Sequence, residues 1–269
     1  MIKIGFVVIA TEEDPWKSIN EHGQELTWLR DLGERDHYIA AYSLGNLGES
    51  QINPRNHRKV QFLGDSSRTH RLSDPEFFKE HHARFEGVRG YASLVGTTLS
   101  AINYLVNESD CDFIVRTNVS SYWGIENLRR FLRDKPQKNY YAGRAEKLYA
   151  GIRGRVQDTQ YASGAGMILS VDVAKRLLEN HTKISTSFID DIAIGRLAST
   201  LGLTLDKLTR VDIESVEVFE KLSSEVIANN YHFRCKSYVN PGLAEPRGDI
   251  EIMKELHRRR GTLGFSRNS

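Results

Sequence analysis

Two adjacent carboxylates, Asp190 and Asp191, stand where a helix should begin, and the positive end of a helix stabilises an anion there. N-capping needs one carboxylate, so it accounts for one of the pair and leaves the other for chemistry. A second group is Tyr231-His-Phe-Arg-Cys-Lys. Alternation along a strand sends His232, Arg234 and Lys236 to one face, where clustered cations suit a phosphorylated ligand. A solvated basic edge strand is the plain alternative. A third group collects at the ends of apolar runs: Thr11, Asp65 and the stretch Arg116–Ser121. Other chemistries lack their signatures. No GxGxxG follows the first strand, and GxxxxGK[ST], GxSxG and HExxH are absent. Of nine histidines only His81 and His82 are adjacent, and they read as an exposed helix end. Cys111 and Cys235 form neither a disulfide framework nor a zinc-ligand spacing, which suits a reducing compartment.

The elements that must position these groups alternate along the chain. Ile2–Ala10 is almost entirely apolar and β-branched, as in a strand covered on both faces. Pro15 marks a start, and residues 19–32 read as a helix ending at Gly33. Tyr38–Leu44 and Val60–Leu63 read as strands separated by a polar loop. Tyr91–Val106 is the clearest helix, with Leu94, Val95, Leu99, Ile102 and Leu105 on one face. Phe113–Val115 is a strand and Ile125–Leu132 a helix. Tyr140–Ala142 and Ala165–Leu169 are strands, and Ser170 is placed to cap Val171–Glu179. A helix from Asp190 or Asp191 to Leu201 closes on Gly202. Val211–Phe219 reads as mixed β, and Tyr231–Arg234 as a short strand. Ile250–Arg260 is a final helix with Ile250, Met253 and Leu256 inward. The order predicts one mixed α/β domain over residues 1–260, mainly parallel in its first half, and a tail over 261–269. Open sheets of this kind bind ligands at the carboxyl ends of their strands, which is where Thr11, Asp65, Arg116–Ser121 and Asp190 fall.

Composition narrows the classes. Among 269 residues, 37 Lys and Arg face 35 Asp and Glu, a net charge of +2 that argues against a general nucleic-acid binder. A hydrophobic fraction of 39% can fill a core, which removes disorder. The apolar run at the N-terminus is too short for a secretion signal and meets Glu12, Glu13 and Asp14 at once. No stretch reaches the ~18 apolar residues of a membrane span. The expectation is a cytoplasmic protein.

Three segments, in order, carry a family resemblance. They are Asp112-Phe-Ile-Val-Arg-Thr-Asn-Val-Ser-Ser-Tyr-Trp, then Tyr161-Ala-Ser-Gly-Ala-Gly-Met-Ile-Leu-Ser, then Ile189-Asp-Asp-Ile-Ala-Ile-Gly-Arg-Leu with Leu201-Gly-Leu beyond it. Together they resemble the GT-A glycosyltransferases of the β-1,3-galactosyltransferase and Fringe type, family 31. The helix Tyr91–Val106 and the segment Val60-Gln-Phe-Leu-Gly match further parts of that pattern, and the likeness spans roughly residues 58 to 203. It implies a GT-A, Rossmann-like fold and an inverting transfer of a sugar from a nucleotide sugar, a UDP-sugar first, to a carbohydrate or lipid-linked glycan acceptor. It makes Asp191 the general base that takes the acceptor's proton. Asp190, Gly164 and Trp123 then belong to the acceptor side. Thr11, Asp65, Arg116, Asn118 and Ser120 belong to the donor side.

The family's Asp-Asp-Asp metal motif is replaced here by Asn118-Val119-Ser120. Asn and Ser are poor ligands for a hard cation without a carboxylate beside them. No cofactor is therefore expected, with Mn or Mg admitted only at a displaced site. His232, Arg234 and Lys236 are the fixed charges expected to take the metal's place at the diphosphate. The cluster His257-Arg-Arg-Arg could rest on an anionic inner-membrane surface where lipid-linked acceptors sit, or simply end a helix in solvent. Surface-glycan synthesis is the expected setting. A catalytically inactive GT-A-like binding protein and a nucleotidyltransferase-like enzyme are the alternatives.

Overall fold

In the computed structural model, residues 2–11, 14–42, 91–148, 159–185, 188–237 and 247–263 are described. They form two compact units. The first comprises the described residues within 1–12, 34–118 and 135–208, and the second those within 13–33, 119–134 and 209–269.

The first unit is built on a six-stranded sheet. Its strands are β1 (Ile4–Ala10), β2 (His37–Tyr42), β3 (Phe113–Asn118), β5 (Tyr141–Leu148), β6 (Thr159–Ser170) and β7 (Leu205–Lys207), in the order β2-β1-β3-β6-β5-β7. The β2-β1-β3 part is parallel, as the sequence predicts. Strand β6 runs antiparallel to both β3 and β5, and β7 is parallel to β5. Every residue of β1 is buried, which explains its unbroken apolar run. Helices α2 (Tyr91–Glu108), α4 (Val171–Glu179) and α5 (Asp190–Thr200) pack into one core with the sheet. Val95, Leu99, Ile102 and Leu105 of α2 meet Val7, Ile114, Met167 and Leu169 of the strands. Gly202, at φ +71°, ends α5 in the left-handed region that glycine tolerates best.

The second unit holds a three-stranded sheet, ordered β4-β9-β8, from β4 (Ser121–Trp123), β8 (Val211–Asp212) and β9 (His232–Arg234). Around it are α1 (Trp16–Ser18), α3 (Ile125–Arg133), α6 (Val216–Glu220), α7 (Ser224–Asn229) and α8 (Asp249–Thr262). Ser215 and Ser223 cap α6 and α7 by accepting backbone N–H bonds from Val218 and Val226.

Several expectations are corrected. Residues 19–32 are not a regular helix; α1 passes into a π-helical turn, Ile19–Gln24, and a separate 3-10 turn, Trp28–Asp31. Strand β3 continues through Asn118, so Arg116 and Thr117 lie within the sheet. The segment read as mixed β gives only the two residues of β8 before turning into α6. Ser170 does not cap α4 by its side chain; its hydroxyl donates to Asp172 at 2.6 Å and accepts the Tyr140 N–H. On α8 the inward apolar positions are Ile252, Met253 and Leu256, with Ile250 half-buried. Val60–Leu63 and Asp65 lie outside the described residues. No described helix is long and apolar enough to cross a membrane.

Candidate active site

Parallel strands β1 and β3 end side by side, with Ile9 opposite Asn118. Strand β6 passes this edge in the other direction, placing Gly166 opposite Thr117 and carrying Gly164 beyond it. The start of α5 meets the same edge. These elements bring together Arg116, Gly164, Asp190 and Asp191.

Asp190 is fully buried. Its Oδ2 accepts from Arg116 Nε at 2.8 Å and from the Thr98 hydroxyl at 2.6 Å, and Arg116 Nη2 stands 2.6 Å away. Its Oδ1 has no hydrogen-bond partner among the described residues. The third nitrogen of the fork, Arg116 Nη1, donates to the carbonyl of Gly164. Arg116 is itself 4% exposed, an internal cation paired with a buried carboxylate.

Asp191 differs in every respect. It is half-buried, and Ile189, two residues before it, is exposed. Its Oδ2 accepts the Gly164 N–H at 2.8 Å and its Oδ1 accepts the Ile192 N–H at 2.8 Å. Burial raises its pKa and the neighbouring Asp190 raises it further, against the opposing pull of Arg116 and the two N–H donors. A carboxylate held above its usual range accepts a proton more readily at neutral pH. Neither aspartate caps α5 in the ordinary sense: Ile189 is the cap position, and no side chain fills it. Capping of this helix by Asp190 is thus corrected.

Gly164 has a structural reason to be glycine. A Cβ there would stand 2.5 Å from Arg116 Nη1 and 2.9 Å from Asp191 Oδ2. The absence of a Cβ makes room for these two side chains. Thr117 ties the strands together by donating its hydroxyl to the Ala165 carbonyl at 2.7 Å. Thr11 follows β1 and is half-buried at the same edge.

Ser120, Trp123, His232, Arg234 and Lys236 all belong to the second unit. Trp123 is fully buried, and His232 stacks on it with ring centroids 3.9 Å apart. These are packed core rings, so the acceptor side expected of Trp123 and the diphosphate contact expected of His232 draw no support from their positions. Arg234 and Lys236 are half-buried, but β9 ends at Arg234, so Lys236 lies beyond the alternation that was to align it. The residues that replace the metal motif have other surroundings. Asn118 ends β3, Val119 is buried, and the Ser120 hydroxyl accepts from Arg247 Nη2 at 2.9 Å within an Arg247–Asp249 pair. The basic run of α8 divides between the surface and the interior. Arg258 and Arg259 donate to Glu255, and Arg260 is buried and donates to the carbonyls of Ile227 and Asn230.

Sequence reasoning missed Thr98 and the internal role of Arg116. The signal for Thr98 was a hydroxyl among the inward positions of α2.

No protein-family model matches the chain, and no curated protein matches it. Two solved structures of the galactosyltransferase LgtC are similar to it, one in complex with donor and acceptor sugar analogues and one of an active-site mutant. Each covers 99% of this chain and 98% of its own at 13% identity, with TM-scores of 0.45 and 0.47.

Proposed function

We propose that this protein is a glycosyltransferase that moves a sugar from a nucleotide donor, a UDP-sugar first, to a hydroxyl of a carbohydrate acceptor. The observation that carries the reading is Asp191. It is a half-buried carboxylate at the carboxyl edge of the parallel strands, with both oxygens fixed by backbone N–H groups and its proton affinity raised. That is the equipment of a general base. Asp191 takes the acceptor's proton as the acceptor oxygen attacks the anomeric carbon and the bond to the diphosphate breaks, so the centre inverts. The segments Tyr161–Ser170 and Ile189–Leu197, which resemble the inverting family 31 enzymes, are the ones that meet around Asp191. The setting proposed is assembly of a surface glycan.

The test is release of UDP from UDP-galactose, UDP-glucose and UDP-N-acetylglucosamine, each with a panel of soluble mono- and disaccharide acceptors. Wild type should turn over at least one pair, with an inverted anomeric product by NMR. Asp191→Asn should lose ~10²–10⁴-fold in rate while donor affinity stays unchanged. A retained anomeric configuration, or near wild-type turnover in Asp191→Asn, overturns the mechanism.

A further inference from the structure

The aspartate beside the proposed base, and the arginine that seals it, have no role yet beyond stability. Four groups close a ring. Arg116 bonds Asp190, Asp190 is joined through one peptide to Asp191, Asp191 accepts the Gly164 N–H, and the Gly164 carbonyl accepts from Arg116. Gly164 is thereby held at both its N–H and its C=O. Thr98 closes the buried side by donating to the oxygen of Asp190 that Arg116 also uses. From these contacts we propose that Arg116 and Asp190 are positioning residues that aim the Asp191 carboxylate by clamping Gly164 from the far side.

Chemistry favours this over a generic buried ion pair. A simple pair needs Arg116 to meet Asp190 alone, yet the third nitrogen of its fork goes to Gly164. Lysine carries the same charge as a single point and cannot span both partners. Placing both charges inside the sheet is costly, and apolar side chains of similar volume are often as stable or more so. The cost is understandable where the pair fixes a geometry. Gly164 must also lack a side chain for the ring to close. The proposal deepens the reading of Asp191 as a base and rests on it for its functional meaning.

The test reads the ring directly. Ser163-Gly164 is the one Ser-Gly step in the sequence, so 13C-carbonyl serine with 15N-glycine labelling isolates the Gly164 amide in an NMR spectrum. In wild type that amide should shift with pH as Asp191 titrates, and Asp191→Asn should abolish the shift. Arg116→Lys should cut its amplitude by half or more. Should Arg116→Lys not fold, the double variant Arg116→Met, Asp190→Leu removes both charges together and leaves no buried ion unpaired. It should give the same loss, with the other glycine amides of the full glycine spectrum unmoved. An undiminished Gly164 titration in either folded variant overturns the positioning role and leaves the transferase reading standing. Wild-type transfer by Asp191→Asn, with the Gly164 titration gone, ends the base assignment and leaves the ring intact.

Discussion

Asp190 and Asp191 are neighbours in the chain and opposites in surroundings. Asp190 is sealed against Arg116 and Thr98. Removing its charge leaves the Arg116 guanidinium buried without compensation, so Asp190→Asn should cost about 3–5 kcal/mol of stability, measured by denaturant unfolding. A cost near the ~1 kcal/mol of a lost cap would show that the pair is solvated. Asp191 behaves in the other direction. Its pKa is raised in the folded chain by burial and by Asp190. The proton is then held more tightly folded than unfolded. The stability linked to that proton is complete below the unfolded value, about pH 3.9, and is lost as pH rises through the higher folded value. Asparagine does not titrate. Asp191→Asn should therefore gain on wild type as pH rises from about 3 to 7, whatever the offset at the acid end. Thermal melts of the two proteins across that range make the comparison, and a flat difference would mean the carboxylate is not held as described.

Helix α5 and strand β6 must approach closely for Asp191 to reach Gly164, and Gly195 is where they do. A Cβ at Gly195 would fall on the Cβ of Tyr161 and 3.1 Å from its Cα. Glycine to alanine inside a helix ordinarily gains about 1 kcal/mol. Here the sign should reverse. Gly195→Ala should cost about 1–3 kcal/mol as an overpacking change and push the start of α5 from β6. The measurements are an unfolding curve and the Gly164 amide shift, and a stabilised variant would disprove the close approach. The elements that carry this contact were legible where their pattern was local. The unbroken apolar run of β1, the inward stripe of α2 and Gly202 after α5 each follow from a few consecutive residues. Strand β3 was cut short because Arg116-Thr-Asn looks like a loop until Asp190, 74 residues later in the chain, supplies the partner that lets an arginine enter a sheet. The irregular turns over residues 19–31 and the lone two-residue β8 have no periodic signature to read. Asp191 was found by resemblance, and its fixing by Gly164 by structure alone. At Trp123 and His232 an aromatic and a basic residue look functional in sequence, and the ring stack between them joins residues far apart in the chain.

For a nearly neutral molecule, the proposed handling of an anionic nucleotide sugar requires charge concentrated locally, since its summed charge of +2 steers little. Many of its cations are already committed. Arg116 serves Asp190, Arg210 serves Asp212, Arg247 serves Asp249, and Arg258 and Arg259 share Glu255, whose pKa falls to about 2 under their influence. A divalent ion would be the economical alternative, yet the segment where the resembling family holds one offers it little. Val119 is apolar and buried, Ser120 is occupied by Arg247, and Asn118 stands where that motif carries an aspartate. We therefore expect donor handling to be independent of metal. UDP at 100 times its dissociation constant should add about 2.7 kcal/mol, a shift of several degrees in melting temperature. That shift should be the same in excess EDTA as in Mn²⁺, while uridine at the same concentration gives much less. Turnover of the UDP-sugar should likewise survive EDTA. If EDTA abolishes the UDP shift and Mn²⁺ restores it, a metal site exists with other ligands. Asp65, the carboxylate that follows Val60-Gln-Phe-Leu-Gly in the sequence, becomes the first residue to replace by alanine, because a carboxylate could supply the charge that Asn118 and Ser120 lack.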